Sequence, residues 1–177
     1  MATTANSIAS RQAMPAIYNS KDDSFGHFGI SYPPSRQAAS LKIAAALLRH
    51  AEETRSGRVF CAPCNVLLSR NIVVQPDILF VRNDRRGIVG KSCLYGAPDL
   101  VVEVLLQTKK SSEYYSRKSL YSHFGVQEFW EADPARHTVE TWIWSEAGFI
   151  PTGSYVESDR LTSFILPDLD LPLASIF

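Results

Sequence analysis

The chain has 177 residues, 45% of them hydrophobic and 20% charged, with a formal net charge of +0. That composition excludes a disordered chain and gives one ordinary domain, long enough to bury a core. The charge balance supplies no global attraction for nucleic acid, so any such contact must come from a local basic patch.

No stretch approaches the roughly 18 apolar residues of a membrane-spanning helix. Residues 1–24 are polar and aperiodic and read as a loose arm. They lack the charged start and apolar centre of a secretory leader. Residues 25–177 read as a single domain. Three cysteines without a leader predict reduced thiols and a cytoplasmic protein.

From Ser35 the pattern becomes helical. Ala38, Leu41, Ala45 and Leu48, with Ile43, Ala44 and Leu47, predict a helix to about His50, with Gly57 as its stop. Val59 to Leu68 reads as strand interrupted by Pro63. Val73-Val74 leads through Pro76-Asp77 into the apolar run Ile78 to Val81, and NDRRG turns the chain. Leu100 to Leu106 is the most hydrophobic strand. Ser111 to Phe124 is a predicted helix, capped by Ser111 or Ser112 and ended by Gly125. Glu128 to Ala132 and His137 to Ser145 form a hairpin around Asp133-Pro134-Ala135-Arg136. A short strand near Tyr155 and the tail LPDLDLPLASIF follow. The order predicts an α/β domain with a mixed central sheet flanked by helices.

The informative residues are acids inside apolar strands. Glu103 lies between Val102 and Val104, Asp77 opens one strand, and Asp99 opens the strand that carries Glu103. A buried carboxylate costs several kcal/mol unless it is paired or binds a metal. Asp99 and Glu103 are four residues apart and share a face. Three carboxylates are therefore expected to converge at the ends of two neighbouring strands. Such a cluster suits Mg²⁺ or Mn²⁺, with Arg117 or Lys118 reaching in from the following helix. The competing reading makes Asp77 a turn cap and pairs Glu103 with a core arginine.

At these residues the chain resembles the Uma-two family, bacterial restriction-endonuclease-type proteins of the PD-(D/E)XK superfamily. The resemblance rests on VQPDILFV, GAPDLVVEVL, KSLYSHFGVQEFWEADP, TVETWIW and LPDLDLPLASIF, with PPSRQAASLKIAAALL before them, and covers residues 33–177. It implies a restriction-endonuclease-like fold and a metal-dependent endonuclease hydrolysing DNA, with Mg²⁺ or Mn²⁺ as cofactor. It maps the proline-aspartate pair to Pro76-Asp77, the second acid to Glu103, and a further family aspartate to Asp99. Asp77, Glu103 and Asp99 are thus the expected metal ligands.

The chain also departs from the pattern. Leu105 stands where the superfamily lysine would follow Glu103 by two. Arg117 stands where the family places its helix lysine, with Lys118 beside it. Arginine stays charged but is a poor proton acceptor. A Gly-Glu pair is matched by Gly26-His27, a helix histidine by Gln37, and Ser-Pro-Ser by Leu106-Gln107-Thr108. These departures define the alternative, a catalytically degenerate nuclease fold that binds DNA or a protein partner.

Other features carry less. Cys61-Ala62-Pro63-Cys64 looks like a redox motif, but strand-like sequence follows where a helix is needed. Arg82, Arg85, Arg86 and Lys91, with Lys109 and Lys110, form a basic set placed to touch phosphates. Solvated loops are the competing reading. Trp142 and Trp144 share a strand face and are expected in the core or at a dimer contact. A homodimer fits the double-strand chemistry, but no heptad or exposed stripe in the sequence marks its interface.

Overall fold

The computed structural model describes residues 32–105 and 112–177, with the side chains of 112–116 excepted. The elements are α1 (Pro34–Thr54), β1 (Gly57–Cys61), β2 (Val66–Ser69), β3 (Ile72–Val74), β4 (Ile78–Arg82), β5 (Leu94–Tyr95), β6 (Leu100–Val104), α2 (Ser112–His123), β7 (Glu128–Asp133), β8 (Thr138–Ser145), β9 (Gly148–Val156), β10 (Arg160–Leu161) and β11 (Leu171–Pro172). Short 3₁₀ turns follow β4 and β11.

Six strands form the central sheet in the order β1-β4-β6-β7-β8-β9. Only β6 and β7 pair in parallel, joined by the crossover that contains α2, and the other neighbours are antiparallel. A parallel pair needs a crossover of about a dozen residues. The helix that the sequence predicts between the two strands supplies it.

The pleat sorts side chains to two cores. Ile78, Phe80, Leu100, Val102, Val104, Trp130 and Ala132 face α1 and the C-terminal segment Leu161 to Ile176. Leu79, Val81, Val101, Phe129 and Trp142 face Tyr121 of α2 and the small sheet β3-β2-β5. Both faces of β4, β6 and β7 are covered, which explains their near-continuous hydrophobic runs.

Several boundaries differ from expectation. The first helix continues through Thr54 and ends at Arg55 in the left-handed region (φ 53), where the Ser56 amide donates to Ala51 O at 3.1 Å. Gly57 is not the stop. It opens β1, and a Cβ there would lie 2.3 Å from Val81 O, so close strand packing is what requires glycine. The last strand of the main sheet is nine residues long rather than short, and the tail packs into the core. α1 leaves Ala38, Leu41, Ala45 and Leu48 exposed along one side, a stripe the sequence reading did not separate from the buried face.

Candidate active site

Register brings the first two acids together. Ile78 of β4 pairs with Val102 of β6, so Asp77 precedes β4 directly opposite Glu103. Asp77 is 9% exposed and Glu103 5%.

Arg36, two residues into α1, reaches down onto this pair. Its Nη2 lies 2.6 Å from both carboxylate oxygens of Asp77, and its Nε donates to Val104 O at 2.7 Å. Asp77 Oδ2 in turn accepts the Val104 N–H at 2.8 Å. Aspartate, arginine and the backbone of Val104 thus close one hydrogen-bonded ring beside Glu103. The Arg36 guanidinium also lies 3.9 Å over the Tyr32 ring.

Glu103 is engaged from α2. Tyr121 Oη donates to it at 2.6 Å, and Arg117 Nη1 lies 3.5 Å from both of its oxygens. Burial pushes the Glu103 carboxyl up to about 7, against the pull of Arg117 and with a further push from the Asp77 charge. Burial and the adjacent carboxylate also raise the Tyr121 phenol, which holds that hydrogen bond in its donating form.

Of the two candidate cations, Arg117 reaches Glu103. Lys118 Nζ lies 3.1 Å from the centroid of the Trp142 ring, drawn along the sheet by a cation–π contact. The rotation of about 100° between neighbouring helix residues accounts for the divergence.

Asp99 is not part of this cluster. The four-residue spacing does keep it on the Glu103 face, but about 13 Å along the strand. Antiparallel pairing places it at the far end of β4, where it is fully buried. It accepts the Arg82 N–H at 2.9 Å and Arg85 Nη1 at 3.0 Å, with Arg82 Nε at 3.2 Å. Asp99 and Glu103 share a face of the strand but lie at its opposite ends.

The same geometry relocates the expected phosphate contacts. Arg82 and Arg85 brace Asp99, and Arg85 also donates to Ala97 O at 2.9 Å. Arg86, in the turn that follows β4, and Lys91 are exposed. Lys109 and Lys110 lie outside the described residues, as do Gly26-His27 and Leu106-Gln107-Thr108.

Sequence reasoning missed Arg36, which looked like any basic residue near a helix start. It also missed an acidic row: Glu103 pairs in register with Glu131 of β7, and Glu131 with Glu140 of β8. Glu131 within EFWEAD and Glu140 within TVETW, acids set inside apolar strands, were the available signal. Cys61 ends β1 and Cys64 precedes β2, so strand follows the cysteine pair, as expected. Trp142 packs in the core, whereas Trp144 is 38% exposed and donates to Ser122 O at 2.8 Å.

Carboxylate oxygens are the right donors for a hard divalent ion. As arranged, the residues nevertheless do not fit one. Both oxygens of Asp77 are held by Arg36, one of them also by Val104 N–H, and Glu103 is held by Tyr121 and Arg117. Among the described residues, no three His, Cys, Asp or Glu side chains are grouped to hold a metal ion.

A mixed sheet whose neighbouring strands present two buried acids beside helix-borne cations defines the class: an α/β protein with a site at one end of its central sheet. The fold matches the crystal structure of a putative nuclease belonging to DUF820 from Anabaena variabilis. The TM-score is 0.65 at 19% identity, covering 84% of each chain. The family model for Uma2, putative restriction endonuclease, matches residues 29–174, and the chain belongs to that family. No curated protein matches it. Among the described residues, no helix is long and apolar enough to cross a membrane.

Proposed function

We propose that this chain is an endonuclease that hydrolyses DNA phosphodiester bonds at the Asp77–Glu103 end of its sheet. One observation carries the reading: the β4–β6 register sets the two acids opposite each other, with Arg117 and Tyr121 on Glu103. Membership of a family described as restriction endonuclease supports it.

In this reading Glu103, with its carboxyl near neutrality, takes the proton of the attacking water. The Arg117 guanidinium stabilises charge developing on the phosphoryl oxygens. Mg²⁺ or Mn²⁺ is the cofactor the reading calls for, and Asp77 and Glu103 would offer it oxygen ligands only with the Arg36 contact on Asp77 released. A cytoplasmic location and a homodimer, which would cut both strands, belong to the same proposal.

A second reading, a protein that binds DNA or a partner without cutting, is favoured by the Arg36 contact that engages Asp77. Nicking of supercoiled plasmid with Mg²⁺ or Mn²⁺ separates the two. Nicking by the wild type that is lost in Asp77→Asn/Glu103→Gln supports the nuclease. No nicking by folded wild type with either ion supports the binding protein.

A further inference from the structure

Arg36 is placed where a bound cation would be needed. Its Nη2 bridges both oxygens of Asp77 at 2.6 Å, inside the site, and the pair is about nine-tenths buried. With Arg117 on Glu103, two guanidiniums already face two carboxylates. An arriving divalent ion meets two resident cations and an Asp77 whose oxygens are taken.

We infer that Arg36 is a resident counter-ion that competes with divalent metal for Asp77, so that metal enters only when Arg36 leaves. The inference rests on the nuclease reading only for the identity of the ion. Arg36 lies in the first turn of α1, and no side chain caps that helix end. An opening of about 360 Å³ adjoins it, lined by Tyr32, Gln37, Ser40, Leu41, Cys61 and Gln75 among others. On this inference, rotation about the arginine side-chain bonds would carry the guanidinium into this opening. The departing group trades a buried ion pair for solvent. The aspartate it vacates keeps its Val104 N–H bond. Metal affinity is therefore set by the free energy of uncovering Asp77 as well as by the ligands themselves.

The test is calorimetric titration of the full chain with MnCl₂ and with MgCl₂, wild type against Arg36→Gln. Removing the competing charge tightens binding about tenfold or more, and adding Asp77→Asn abolishes the gain. Equal affinity in wild type and a folded Arg36→Gln protein overturns the inference. Should that variant fail to fold, the wild type decides. Phenylglyoxal modification of Arg36, read by peptide mass spectrometry, rises as Mn²⁺ is added. Labelling unchanged across the titration overturns the inference. The outcome is separable from that of the nuclease reading: an Arg36→Gln protein that gains metal but nicks no DNA sinks the nuclease and keeps the competitor.

Discussion

Asp77→Asn is the natural substitution for silencing the site, and the structure gives it a stability cost unrelated to catalysis. Asp77 and Arg36 side chains are 11% and 10% exposed, so their pairing belongs to the buried regime and not to the weak surface one. Removing one partner of a buried pair costs about 3–5 kcal/mol, chiefly because the other charge is left uncompensated. Asparagine keeps an acceptor for Val104 N–H, and Tyr32 still covers the guanidinium. The cost therefore falls near the lower bound, about 3 kcal/mol. Arg36→Met leaves the Asp77 carboxylate with the Val104 amide alone and costs a similar amount, about 3 kcal/mol. The double variant Arg36→Met/Asp77→Asn leaves no orphaned charge. It should stand at least about 2 kcal/mol above the sum of the two single losses, as contacting residues do.

Urea unfolding of the four proteins at one pH measures the cycle. Additive losses, or an Asp77→Asn protein within about 0.5 kcal/mol of wild type, would refute the claim that Arg36 and Asp77 form a buried pair. The result also decides how nicking data are read. A domain with about 5–15 kcal/mol of stability survives a loss of 3, but with a larger unfolded population. The charge-balanced double variant is then the fairer inactive control.

Three further outcomes are expected. Glu103 holds its proton in the folded chain up to about pH 7 against an ordinary value of 4.5, so its stabilising contribution is complete below 4.5 and lost as pH rises through 7. That loss is at most roughly 3 kcal/mol, and Glu103→Gln should flatten the fall in urea midpoint between pH 5 and pH 8; an unchanged profile refutes the assignment. Glu128 is 2% exposed and accepts from Trp130 Nε1, Ser163 Oγ and Ile165 N at 2.7, 2.7 and 3.0 Å. Glu128→Ala orphans buried donors at a cost of about 3 kcal/mol, and the Ile165 amide should lose hydrogen-exchange protection before the sheet does. Asp99→Asn should lower stability by about 2 kcal/mol through the Arg82 and Arg85 contacts, yet leave plasmid nicking per folded molecule unchanged; a selective loss of nicking would return Asp99 to the site.

The elements were legible because their signals are local. Buried strands declare themselves as apolar runs, and Gly125, in the left-handed region at φ 79, ends α2 where the sequence places its stop. Glu103 was legible for the opposite reason: it violates its run, and the violation marks the site. What sequence did not give was distance along a strand. Asp99 and Glu103 satisfy the same period-two rule whether or not they meet, and only the direction of β4 decides that Asp77 meets Glu103. Arg36 was hidden for a related reason. It lies 41 residues from Asp77 and 68 from Val104, and no periodicity links a helix N-terminus to the ends of two strands. Its two roles follow from one placement. The contact that stabilises the folded chain by neutralising Asp77 is also the contact a metal must break. Stability and metal affinity at this site should therefore move in opposite directions in any variant that weakens the Arg36–Asp77 pair while keeping Asp77.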